Sequence, residues 1–95
     1  MPYFVYILAS KKNGTLYTGV TSDLLEPIYQ HKSGIVEGFS KKHDVHLLVY
    51  FEIFDQIIEA IEREKHIKKW RRSKKIRIIE DLNPEWKDLY FSFVN

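Results

Sequence analysis

Residues 2–19 read PYFVYILASKKNGTLYTG, and the reading of this stretch decides the fold. It has the form of one β-hairpin. Tyr3, Phe4, Val5, Tyr6, Ile7 and Leu8 make an apolar and aromatic run of strand-favouring side chains. Asn13-Gly14 supplies the positive-φ residues that a tight hairpin turn needs. Thr15 to Thr21 make the return strand. Tyr6 and Tyr17 fall on opposite arms, where they can approach one another across the pair. On pattern alone, both are half-buried strand tyrosines.

The 95 residues suit a single domain over 1–95, with a modest core. Hydrophobic residues at 44% and charged ones at 29% are ordinary for a globular chain. Aromatics at 15% suit a small sheet that needs bulky side chains to fill its core. There is no cysteine, which excludes disulfides and thiolate metal sites. No apolar run approaches the roughly 20 residues of a membrane span. No charged segment followed by an apolar one opens the chain, so no signal peptide is expected. The expected location is the cytoplasm.

After the hairpin, Asp23 with Glu26 three residues later fits a capping-box pattern for a short helix. Pro27 complicates it. Either the helix starts at about Glu26 or Pro27, or its first turn is distorted. Gly34 is a good C-cap, and a polar loop with Gly38, Lys41, Lys42 and His43 runs to Asp44. His46 to Phe54 is the third strand, apolar on both faces apart from Glu52, which predicts a central position. Asp55 is placed to cap a long helix from Gln56 to about Trp70. Ser73 to Asn83 forms a further helix. Asn83-Pro84 then reads as the N-cap and first position of a short last turn to about Tyr90. Trp86, Leu89, Phe91 and Phe93 are expected to dock on the body of the domain.

The long helix holds one anomaly. Its apolar arc takes in Ile57, Ile58, Ala60, Ile61 and Ile67, and Glu64 falls inside it, between Ala60 and Ile57. Glu59 and Glu62 lie on the polar side. An inward carboxylate is expensive unless paired, hydrogen-bonded or bound to a cation. Two explanations stand: a salt bridge to Lys68 or Arg71, or a functional cation.

Net charge is only +2, but its distribution says more. Lys65, Lys68, Lys69, Arg71, Arg72, Lys74, Lys75 and Arg77 follow one another with no acid among them and Trp70 in their midst. Such a run is either a solvated surface or a contact with a phosphate backbone. Charge alone does not separate DNA from RNA.

Phe4-Val5-Tyr6, ten residues, then Tyr17-Thr18-Gly19 resembles the paired signature of the GIY-YIG nuclease superfamily, and most closely its small stand-alone bacterial members. Both tripeptides depart from the family's Gly-Ile-Tyr and Tyr-Ile-Gly. The resemblance continues through Ser22-Asp23-Leu24, Gln30-His31-Lys32, Glu59 to Trp70 and Asn83-Pro84-Glu85-Trp86, nearly the whole chain.

The resemblance implies an α+β fold, with a small mixed sheet of about three strands flanked by helices. It implies a metal-dependent endonuclease whose Mg²⁺ (or Mn²⁺) sits on Glu64 and waters, as suits an ion that prefers few carboxylates. Tyr6 would act as or assist the general base, Tyr17 would hydrogen-bond in the same cluster, and His31 matches the family's histidine. A free phenol titrates near 10, so Tyr6 would need positive charge nearby. The partner would be nucleic acid, DNA in preference to RNA, with backbone contacts from Lys32, Lys65, Lys68, Lys69, Arg71, Arg72, Lys74 and Lys75. One position breaks the pattern: Pro27 stands where the family carries its phosphate-binding arginine. Lys32 is the only cation on that helix and lacks the planar fork. Losing one transition-state donor costs on the order of 10² to 10³ in rate. The alternative is therefore a weak or inactive nucleic-acid-binding module, and a structural adaptor stands third.

Overall fold

Strand β1 (Tyr3–Ala9) is the member around which the others assemble. Val5, Tyr6, Ile7, Leu8 and Ala9 are all buried, so this strand is covered on both faces as well as paired on both edges. The computed structural model describes residues 2–33 and 44–92. Strand β2 (Leu16–Thr21) pairs with one edge of β1 and strand β3 (Leu47–Phe54) with the other. The resulting α+β sheet has the order β2-β1-β3 and is antiparallel throughout rather than mixed. The apolar run of β3 predicted a central strand; β3 is at an edge. Its apolarity comes from cover on its two faces, and its far end opens to solvent at Ile53, which is 60% exposed.

The hairpin connection is wider than a two-residue turn. Ser10 closes it, with its amide donating to Thr15 O at 3.0 Å and its Oγ accepting from the Thr15 amide at 3.0 Å. Asn13 takes the left-handed conformation at φ 60°. Gly14 is needed for a different reason: a Cβ there would collide with Ser10 Oγ and Lys11 Cγ.

Helix α1 (Leu25–Ser33) begins ahead of Pro27. Pro27 falls in the first turn, where a backbone N–H has no intrahelical acceptor, so the ring is accommodated. Asp23 does not cap it; its amide turns back to Thr21 Oγ1 at 3.1 Å. Helix α2 (Ile57–Lys69) has Gln56 at its N-cap, without a side-chain cap from there or from Asp55. Helix α3 (Arg72–Leu82) ends on Asn83, whose amide donates to Ile79 O at 2.7 Å. A 3₁₀ turn covers Leu89–Ser92. The expected Gly34 cap, the loop over 34–43 and the docking of Phe93 lie outside the described residues.

Two cores sandwich the sheet. On one face Val5, Ile7 and Ala9 meet Ala60 and Ile67 of α2, Ile79 of α3, and Trp86. On the other, Tyr6 and Leu8 meet Leu24, Ile28 of α1, Val45 and Leu48. Each large aliphatic side chain so buried contributes roughly 1.5–3 kcal/mol. The buried face of α2 is rotated from the one its isoleucines predict. Ala60 and Ile67 are buried, whereas Ile57 is 43% and Ile58 68% exposed.

Asn83, expected to start the last turn, instead pins it. Its buried side chain donates to Val49 O at 3.1 Å and Lys87 O at 2.8 Å, and accepts from the Lys87 amide at 3.0 Å. Trp86 is held in a left-handed conformation at φ 57°, its Nε1 donating to Glu80 Oε2 at 2.8 Å. No helix among the described residues is long and apolar enough to cross a membrane.

Candidate active site

Antiparallel register brings the two signature tyrosines together. Tyr6 pairs with Gly19 and Leu8 with Tyr17, so the phenols are diagonal neighbours on one face of the sheet. Their ring centroids are 6.5 Å apart at a 40° tilt. Gly19 makes the approach possible. A Cβ at residue 19 would run into Cζ and the hydroxyl of Tyr6, so the ring lies directly over the bare glycine. This is why a glycine sits inside a strand.

Glu64 enters from α2, which packs along β1 and β2. Its carboxylate is only 12% exposed, as the wheel predicts for an inward residue. It accepts an ion pair from Lys68, one helical turn on, at 2.6 Å. The salt bridge read from the sequence as one explanation is therefore present. Burial pushes the Tyr6 phenol well above the usual tyrosine value, and the Tyr17 phenol and the Glu64 carboxylate push it further. So placed, the Tyr6 phenol is the opposite of a ready base. The same influences show that Tyr6, Tyr17 and Glu64, from three different elements, share one electrostatic neighbourhood.

A cleft of about 330 Å³ opens beside Tyr17, lined by Leu16, Tyr17, Thr18, Lys68 and Lys75. His31, on α1, belongs to the helix that covers the Tyr6 face through Ile28. Among the described residues, no three His, Cys, Asp or Glu side chains gather as a metal-binding group. The donor set for a cation is then a single carboxylate with waters. A largely buried carboxylate whose ion-pair partner Lys68 lines the cleft suits Mg²⁺ or Mn²⁺ in that hydrated form.

The basic residues divide by environment. Lys65, Lys69 and Arg71 are exposed. Lys68 and Lys75 face the tyrosine cleft. Arg72 grips the hairpin, its Nη2 donating to Asn13 O at 2.5 Å and Gly14 O at 2.6 Å. Lys74 stands 4.1 Å from the centre of the Trp70 ring. Lys32 is engaged within the fold. It pairs with Asp88, donates to His46 O at 2.8 Å and lies over the rings of Tyr90 and Phe91.

One network escaped the sequence reading. Arg63 of α2 meets Glu52 of β3 through two parallel bonds, both 2.8 Å, and Tyr50 donates to the same carboxylate. Burial alone would raise Glu52, but the bonds from Arg63 and Tyr50 and the guanidinium charge hold it below the usual carboxylate range. Arg63 also lies 4.9 Å from the Trp70 ring centre. The signal was Glu52 itself, a lone acid in an apolar strand that needed a partner.

The chain is similar to known proteins in sequence and in fold. A family model described as the GIY-YIG catalytic domain matches residues 2–77. A UPF0213 protein of Staphylococcus saprophyticus is 37% identical over 79 residues, covering 83% of this chain and 95% of that protein. A UPF0213 protein of Staphylococcus aureus (strain N315) is 38% identical over 80 residues with the same coverage. The solution NMR structure of a UPF0213 protein from Bacillus halodurans matches with a TM-score of 0.57 at 30% identity, covering 93% of both chains.

Proposed function

The chain belongs to the GIY-YIG catalytic-domain family, and from that premise we propose that it is a divalent-metal-dependent endonuclease of the cytoplasm that hydrolyses phosphodiester bonds in DNA. The family indicates a nuclease-type function on nucleic acid, generally with divalent metals. The observations that support the finer reading are the approach of Tyr6 and Tyr17 over Gly19, which is kept free of a side chain, and the Glu64 charge that acts on the Tyr6 phenol.

Glu64 would hold Mg²⁺ or Mn²⁺, which supplies positive charge against the developing phosphorane-like oxygens and a more acidic water. Tyr6 accepts the proton of the attacking water. Its phenol starts above its ordinary value because it is buried next to Tyr17 and the Glu64 carboxylate. Burial is the largest of the three influences and Glu64 the smallest, so a cation on that carboxylate would relieve only part of the rise. Tyr17 orients the Tyr6 side of the cluster, and His31 of α1 would serve the leaving oxygen. Lys65, Lys69 and Arg71 hold the backbone of the duplex.

A second reading, a binding module without efficient catalysis, is favoured by Pro27 and by Lys32. The first cannot grip a phosphate, and the second is committed to Asp88. Nicking of supercoiled plasmid with Mg²⁺ or Mn²⁺ decides between them. Wild type is expected to nick and Glu64→Ala is not. A silent wild type whose Pro27→Arg variant nicks in a Glu64-dependent way would identify a scaffold that has lost its phosphate clamp. Silence of both, with DNA retained at low salt, would establish the binding module.

A further inference from the structure

Lys68 does two things at once. Its ammonium holds Glu64 at 2.6 Å, and its side chain lines the cleft beside Tyr17, Thr18 and Lys75. We propose that Lys68 is an exchangeable counterion: it neutralises Glu64 in the metal-free protein, and when that carboxylate is taken by a divalent cation it turns into the cleft and, with Lys75, binds a phosphate of the nucleic acid. This rests on the reading of Glu64 as the metal-holding residue.

Three observations lead to it. Glu64 is 12% exposed and needs a cation at all times, since an inward carboxylate left unpaired is costly. Lys68 is 53% exposed and sits one turn along the same helix, so the pair is of the weak, solvent-screened kind that is surrendered cheaply. A lysine stem also swings several ångströms by rotamer changes alone. Finally, α1 carries no arginine, and its Lys32 is bound to Asp88, so the described cations beside Tyr17 are those of Lys68 and Lys75.

The test is Mn²⁺ titration by calorimetry on the full chain, with binding of a hydrolysis-resistant phosphorothioate DNA duplex measured with and without Mn²⁺. Lys68→Met is expected to tighten Mn²⁺ by about 2- to 5-fold, the worth of a half-exposed pair. It should weaken duplex binding in Mn²⁺ and leave it nearly unchanged without the metal. Lys75→Met, which does not touch Glu64, should weaken duplex binding in both conditions and leave Mn²⁺ affinity alone. Mn²⁺ affinity unchanged in Lys68→Met, or a duplex effect equal with and without Mn²⁺, overturns the exchange. If Glu64→Gln abolishes Mn²⁺ binding in that case, the metal reading survives. Wild type that binds no Mn²⁺ while Lys68→Met does is the exchange in its strongest form. If neither binds, or if Glu64→Gln binds as wild type does, both the exchange and the metal reading fall.

Discussion

The phenol of Tyr6 fills the space that a side chain at residue 19 would require, since a Cβ built on Gly19 would meet its Cζ and hydroxyl at under 3.0 Å. Tyr6 is buried, so it has little room to retreat. Gly19→Ala should therefore cost about 1–3 kcal/mol, as overpacked sites do, and should abolish nicking by displacing the ring. Urea unfolding checks it. In a Tyr6→Ala background the same change at residue 19 should cost little, and an equal cost in both would show that the ring is not what excludes the side chain.

Alkaline pH should destabilise the protein through two phenols. Burial raises Tyr6, with help from Tyr17 and Glu64. Burial and the bond to Glu52 raise Tyr50, against a smaller opposing effect of Arg63. An unfolded tyrosine titrates near 10, so below about pH 10 both states are protonated and the full contribution is present. Above it the unfolded chain loses its protons first, and stability falls as pH climbs toward the folded values. Tyr6→Phe and Tyr50→Phe should each flatten this decline in urea midpoints between about pH 9 and 11. A wild-type midpoint that stays level over that range would contradict the burial argument.

The acid limb has the opposite sign. Glu52 is depressed in the folded protein, so its contribution is complete above its unfolded value of 4.5 and is lost as pH falls below that value. Glu52→Gln should flatten the acid limb of the stability profile. It also costs Arg63 the carboxylate charge and one of its two parallel bonds, since a Gln amide offers a single acceptor oxygen, so the variant should be less stable near neutrality.

The hairpin, the third strand, the three helices and the inward turn of Glu64 were legible because each is a local pattern: alternation, helical period, turn residues. What was not legible is set by long-range geometry. The place of β3 at an edge depends on which strand both neighbours choose, and two apolar runs look alike in sequence. Periodicity assigned Ile57 and Ile58 to the core along with Ala60 and Ile67, yet α2 buries the latter two and leaves the former exposed. Asn83 carried a local N-cap signal, and the bonds to Val49 and Lys87 overrode it. At the site, the Tyr6–Tyr17 approach followed from strand pairing, whereas the roles of Arg63, Arg72 and Lys32 depended on partners far away in the chain.

Asn83 should be among the polar residues least tolerant of change. Asn83→Ala removes three hydrogen bonds and strands the buried Val49 carbonyl, a cost of about 1–3 kcal/mol for the unsatisfied group alone. Hydrogen exchange at the Lys87 amide should accelerate with it. Asn83→Asp keeps the acceptor for Lys87 but loses both donated bonds, so it should restore protection at Lys87 without restoring stability. Equal behaviour of the two variants would refute the separate roles of the amide's oxygen and nitrogen.

Binding of duplex DNA should separate the exposed cations from the committed ones. Each cation removed from the phosphate backbone should reduce the slope of log affinity against log salt by about 0.9. Lys65→Ala, Lys69→Ala and Arg71→Ala, all at exposed positions, should therefore each flatten the slope while leaving stability within about 0.5 kcal/mol. Lys32→Met should do the reverse. Its ammonium is occupied by Asp88, the His46 carbonyl and two aromatic rings, so the slope should hold while the urea midpoint falls. Arg72→Ala should behave like Lys32→Met, because its guanidinium is bound to the carbonyls of Asn13 and Gly14. A flattened slope for Lys32→Met would mean that the residue leaves Asp88 to meet the phosphates, and the binding surface would then extend onto α1.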